Sequence, residues 1–183
     1  MNQDQIKQLN EAVEAVKTRK IENVYFVACG GSKAIFDPAQ FIFDRETTLP
    51  SFVYNANEFI HRCPKGLGEN SLVVTCSHSG NTLETTRATQ LAGDKGALTI
   101  SFSYRVDSPL WKATQHPISY VWGPESDPGD NNNGMLYRLV FSILNVLQPN
   151  EKYERAIKAC DNLGKVYEAN KAKFAESPKA FGK

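Results

Sequence analysis

The stretch "VYFVACGGSKAIF", residues 24–36, runs from an unbroken apolar segment straight into Cys29-Gly30-Gly31-Ser32. A second stretch, "LVVTCSHSGNTLETT", residues 72–86, repeats the design, with Ser77-His78-Ser79-Gly80-Asn81-Thr82 after the apolar run. An apolar run without polar alternation predicts a strand covered on both faces, as parallel strands between two helical layers are. In open parallel sheets, ligands enter at the carboxyl ends of the strands, near a topological switch point. Both glycine and hydroxyl loops fall at such ends.

Working outward, "SFVYN" (51–55), "ALTISFS" (97–103) and "ISYVW" (118–122) bring the expected strands to five. Helical segments fill the gaps. Ile6, Leu9, Val13 and Val16 share one face over residues 4–17. Further helices are predicted over 33–44, 56–62, 82–93 and 108–114, and over "NNGMLYRLVFSILNVLQ" up to Pro149. This alternation predicts an α/β fold: a doubly wound three-layer αβα sandwich with a five-stranded parallel sheet and right-handed crossovers. After Pro149, "EKYERAIKACDNLGKVYEANKAKFA" reads as one more helix. Its stripe of Tyr153, Ile157, Cys160, Leu163 and Tyr167 needs a cover that the chain does not obviously supply. The expected division is therefore residues 1–148 as the domain and 149–183 as a C-terminal helix.

Bulk composition narrows the function. The 183 residues are 41% hydrophobic and carry a formal net charge of +1, with no basic cluster of the kind that phosphate backbones require. Nucleic acid is thus not an expected partner. No apolar run reaches the length of a membrane span, so no membrane association is expected. The four cysteines form no C-x-x-C pair and read as reduced thiols in a cytoplasmic protein, with Cys29 and Cys76 closing strands as small buried residues. No cofactor and no metal site are expected.

The chemistry of the two loops points to an anion. Free N–H groups at a helix start carry partial positive charge, and the hydroxyls of Ser77, Ser79 and Thr82 add donors without any cation. Gly80 removes a side chain where backbone must come close. Each loop alone has an ordinary structural reading, since Ser, Thr and Asn cap helices and Gly makes turns. The pair, on strands of one sheet, favours an anion site. "CGGSK" lacks the G-x-x-x-x-G-K-[ST] frame of a nucleotide P-loop and the G-x-G-x-x-G of a dinucleotide site. Ser79 is not in a nucleophile elbow, because Ser77 stands where G-x-S-x-G needs glycine.

"ACGGS" and "SHSGNT", with "NEF" between them and "GPE" (123–125) later, resemble the sugar isomerase, or SIS, domain. "VYNANEFI", "LGENSLVV", "SHSGNTLET" and "DSPLW" are similar to the first half of the fructosamine-6-phosphate deglycases. Those enzymes split phosphorylated Amadori products, such as fructose-asparagine or fructoselysine 6-phosphate, into glucose 6-phosphate and an amine. The resemblance covers about residues 21–148. It implies that Ser32, Ser77, Ser79 and Thr82 hold the sugar phosphate, with Gly31, His78, Gly80 and Asn81 lining the pocket. It also implies a homodimer whose sites mix residues of both subunits.

In that family a catalytic Glu lies in a G-E-F-x-H-G-P-like segment of a second SIS repeat, joined by a further His. No such segment occurs here. The local echo is Asn57-Glu58-Phe59-Ile60-His61, so Glu58 and His61, three apart on a short helix, are the catalytic candidates, with a structural role the simpler reading. His61 and His116 otherwise read as surface or helix-end residues. The final helix then reads as a connector to a second repeat. Three functions follow: part of a deglycase or of an aldose–ketose phosphosugar isomerase, a non-catalytic sugar-phosphate module, or a flavodoxin-like binder of another anion. The polar run "GPESDPGDNNN" could face a substrate ammonium or could be a solvated loop.

Overall fold

The computed structural model describes residues 2–124 and 126–181. It opens with α1 (Gln3–Lys17), β1 (Asn23–Ala28), α2 (Gly30–Ala34), α3 (Phe36–Glu46), β2 (Ser51–Asn55) and α4 (Ala56–Arg62). Then come β3 (Ser71–Cys76), α5 (Leu83–Asp94), β4 (Leu98–Ser103), α6 (Pro109–Ala113) and β5 (His116–Ser119). The chain closes with α7 (Asn132–Leu147), α8 (Glu151–Asp161) and α9 (Leu163–Phe181). All strand pairs are parallel, in the order β2-β1-β3-β4-β5. The sandwich and the five-stranded parallel sheet are as the apolar runs predict.

The strands are continuous in hydrophobicity because each face has its own cover. Val24, Phe26 and Ala28 of β1, Leu72, Val74 and Cys76 of β3, and Leu98, Ile100 and Phe102 of β4 share one large core. Leu9 and Val16 of α1, Phe36 and Phe43 of α3, and Met135, Leu136, Leu139 and Ile143 of α7 complete it. The opposite face is smaller, built on Tyr25, Val27 and Val73 against Phe59 of α4 and Ala88 and Ala92 of α5. Small and hydroxylated residues let α5 lie close there. Their polar atoms are paired: Thr75 Oγ1 meets Ser101 Oγ at 2.6 Å and accepts from Thr89 Oγ1 at 3.0 Å.

The edge strand β5 is closed by α1. Gln8 Oε1 accepts from the Ser119 N–H at 2.8 Å and from Ser119 Oγ at 2.9 Å, and buried Gln5 reaches the Ser119 carbonyl. A helix side chain thus satisfies the ladder groups that an open edge would expose.

Three boundaries differ from the sequence expectation. The helix expected over 33–44 is two, α2 and α3, turning at Ile35. β5 lies at 116–119 rather than 118–122, because Tyr120 and Trp122 leave the ladder to line a cleft. The helix beyond Pro149 is likewise two, with a break at Asn162. A Cβ at Gly164 would overlap the Asp127 carboxylate, so the first turn of α9 presses against the 123–130 loop. The expected apolar stripe does find partial cover. Tyr153 belongs to the main core, its hydroxyl donating to Glu46 Oε2 at 3.1 Å, and Cys160 is buried. Arg138 of α7 pairs with Asp161 at 2.5 Å. On α9 the stripe runs out, with Tyr167 38% exposed.

Candidate functional site

β1 and β3 lie side by side, with Ala28 paired to Cys76, so their following loops emerge at one rim. The chain crosses over in opposite directions from these two strands, which makes this the switch point of the sheet. The Ser32 side chain of the first loop acts on the Cys76 thiol at the end of β3. Burial pushes the Cys76 thiol up to about 12, opposed by the smaller pull of Ser32. Thr85 adds a second link, its hydroxyl 3.9 Å from Cys29 Sγ.

In the second loop, Ser77 is 3% exposed and its hydroxyl meets Thr82 Oγ1 at 2.9 Å. Ser79 is half-buried and accepts from the Asn81 N–H at 3.2 Å. Thr82 is the N-cap residue of α5, yet its side chain makes no capping bond. The first N–H groups of this helix therefore keep their donor capacity at its positive end. Backbone bonds fasten the turn: Ser77 N–H to the Phe102 carbonyl at 3.1 Å and Tyr104 N–H to the His78 carbonyl at 3.1 Å.

A cleft of about 610 Å³ opens at this rim, lined by Cys29, Gly31, Ser32, His78, Tyr120 and Trp122 among others. A Cβ on Gly30 or Gly31 would meet nothing within 4 Å, so open space lies over the first loop. Asn132 and Asn133, from the first turn of α7, form the far wall. Among the described lining residues there is no Lys, Arg, Asp or Glu. Neutral hydroxyls, amides and helix N–H groups are what such a site offers an anion.

The site residues expected from the sequence divide in two. Ser32, Gly31 and His78 line the cleft, and Ser77, Ser79 and Thr82 sit in the adjoining loop at the same rim. Gly80 does not line it: with φ +67 it faces inward, where a Cβ would overlap Ser108 Oγ. Asn81 is exposed outside the lining set. Glu58 and His61 are exposed on α4, and Glu58 pairs with Arg62 of its own helix at 2.9 Å, turning its carboxylate to that partner. Glu125 of the "GPE" segment lies outside the described residues.

A larger open groove of about 840 Å³ runs along α1 beside Gln115 and His116. It lies at the amino-terminal rim, where β5 begins, opposite both loops. Burial draws the His116 pKa down. Among the described residues no group of three or more His, Cys, Asp or Glu could hold a metal ion.

Tyr104, Tyr120, Trp122 and Cys29 were not expected at the site, whereas Asn132 and Asn133 belong to the polar run read as able to face a substrate ammonium. The sequence signal was present in part, as two aromatics at the carboxyl end of an expected strand and a polar run opening a helix.

Comparison with known proteins agrees with this fold. The SIS domain model matches residues 17–148. Fructosamine deglycase FrlB of Bacillus subtilis (strain 168) is 45% identical over 178 residues, 97% of this chain and 54% of its own length. Fructoselysine 6-phosphate deglycase of Escherichia coli (strain K12) is 30% identical over 142 residues, 75% of this chain and 40% of its own. A Bacillus subtilis crystal structure, described as a candidate phosphosugar isomerase, superposes with a TM-score of 0.88 at 46% identity. That superposition covers 95% of this chain and 53% of the other. The chain spans about half the length of the curated relatives it matches. Since the matched region takes in the whole sheet and both rim loops, the chain belongs to the SIS domain family.

Proposed function

We propose that this chain is the phosphosugar-binding SIS domain of a fructosamine 6-phosphate deglycase, with Ser32, Ser77, Ser79 and Thr82 holding the phosphate. The observation that carries the reading is the meeting of the two loops at the β1/β3 switch point, beside the uncapped start of α5. The 45% identity to a fructosamine deglycase across 97% of the chain supports the choice of substrate class.

The reaction moves a proton from the first sugar carbon to the second. The first carbon becomes an imine carbon, and water then replaces the amine to leave glucose 6-phosphate. A carboxylate base suits the abstraction. The described lining of the cleft has none, and Glu58 is held by Arg62. The proposal therefore assigns the phosphate grip to this chain and the base to a second SIS repeat, reached through α8 and α9. The same lining favours the second reading, a non-catalytic sugar-phosphate module. The four free thiols suit a reducing compartment such as the cytoplasm, and no described helix is long and apolar enough to cross a membrane.

Two measurements test this. Glucose 6-phosphate at about a hundred times its Kd should raise the melting temperature by roughly 5–10 °C, and Ser79→Ala/Thr82→Ala should abolish the shift. No shift in the parent chain would refute the phosphosugar reading. Release of glucose 6-phosphate from a phosphorylated fructosamine should be near background with this chain alone, and full turnover would refute the division of labour.

A further inference from the structure

His78 is held in a cage of rings drawn from the segments that follow β4 and β5. Tyr104, just past β4, stacks on it with centroids 5.2 Å apart and planes 4° apart. Trp122 meets it edge-on at 5.2 Å and 70°. Tyr120, at the end of β5, places its hydroxyl 2.9 Å from Nδ1. Tyr120 is 3% exposed, whereas Trp122 is 58% exposed and borders the cleft with Asn132 and Asn133.

Building on the phosphosugar reading above, we propose that this aromatic wall is the hexose subsite, with His78 as its fixed hydrogen-bond donor and Tyr120 as the positioning residue that sets its tautomer. A neutral imidazole has one donor and one acceptor nitrogen. The one hydrogen-bond partner of the Tyr120 hydroxyl among the described residues is His78 Nδ1. If Nδ1 carried the proton, the buried phenolic hydrogen would have no protein acceptor. Tyr120 therefore donates to Nδ1, and the histidine proton sits on Nε2. Burial raises the phenol's pKa and keeps that donor in place. The flanking rings hold the imidazole plane, so the direction of the Nε2–H is set before a ligand arrives.

The loop thereby divides its labour by residue. Ser77 and Thr82 engage each other on the hydroxyl side, while His78, between Ser77 and Ser79, belongs to the aromatic side. A ring face on Trp122, an N–H donor and two carboxamides match the mixed C–H and hydroxyl surface of a monosaccharide.

Nitrogen-15 NMR of the whole chain tests this, with glucose 6-phosphate and inorganic phosphate as separate ligands. The histidine spectrum should show His78 protonated at Nε2 and bare at Nδ1, and the reverse tautomer would overturn the proposal. His78→Phe, which keeps a ring at this exposed position, should weaken glucose 6-phosphate binding about tenfold while phosphate binding stays within about twofold. Tyr120→Phe should give a mixed tautomer and a loss of roughly threefold for the sugar ester alone. If His78→Phe binds glucose 6-phosphate as the parent does, the subsite assignment fails and the phosphate grip stands. A parent that binds neither ligand removes the phosphosugar reading, and this inference with it.

Discussion

Gly80 and Ser108 are built against each other: a Cβ on Gly80 would overlap the serine hydroxyl that caps α6. The Leu110 N–H donates to the Gly80 carbonyl at 3.0 Å, which locks the turn to that helix. At φ +67, Gly80 also occupies backbone space that other residues adopt only under strain. Gly80→Ala is expected to cost about 3 kcal/mol of stability, read in denaturant unfolding, and to abolish the melting shift given by glucose 6-phosphate.

Thr82 supports a buried neighbour as well as the proposed ligand. Its hydroxyl is the side-chain partner of Ser77. Thr82→Val keeps the shape and removes the hydroxyl, leaving the Ser77 group without that partner. A loss of about 1–2 kcal/mol is expected, with weaker phosphate binding by calorimetry. A Ser77→Ala/Thr82→Val double variant should recover part of the stability and none of the binding.

Cys76 predicts an alkaline weakness. Burial raises its pKa from 9.0 to about 12, so the folded chain keeps a proton that the unfolded chain releases. The stabilisation is complete below pH 9 and is lost as pH rises through the interval to 12. Between these values the thiol alone should remove about 1.4 kcal/mol per pH unit. Denaturant midpoints from pH 8 to pH 10.5 measure this, and Cys76→Ala should flatten the slope.

α8 contributes to the main core, although it lies past the end of the matched SIS region. Tyr153→Ala should cost about 3 kcal/mol and Tyr153→Phe about 1 kcal/mol, the latter through the lost bond to Glu46. Val166→Ala on the exposed face of α9 should stay within about 0.5 kcal/mol. Chemical denaturation of the three variants tests the contrast.

The sheet was legible because burial on both faces demands runs such as residues 24–28 and 72–76, a local property of the chain. Both rim loops were legible for a similar reason, since each follows its strand directly. The hidden features depend on distant residues. Gly80 reads as room for a ligand until Ser108 is seen beneath it. Tyr120 and Trp122 read as strand residues, because their departure from the ladder depends on Gln8 of α1 closing β5 at Ser119 and on His78 meeting Tyr120. The break at Asn162 reflects the approach of Gly164 to Asp127, a contact across 37 positions (164 − 127) that helical periodicity does not encode. Glu58 reads as a catalytic echo by its motif, whereas Arg62, one turn along α4, engages its carboxylate.

The most direct measurement is a crystal structure of the chain soaked with glucose 6-phosphate. The ester should lie at the β1/β3 rim, within hydrogen-bond reach of the Ser32, Ser79 and Thr82 hydroxyls and the first N–H groups of α5, with its sugar ring in the cleft beside His78 and Trp122. A fully occupied ligand elsewhere, as in the groove along α1, with that rim still empty, would contradict the account.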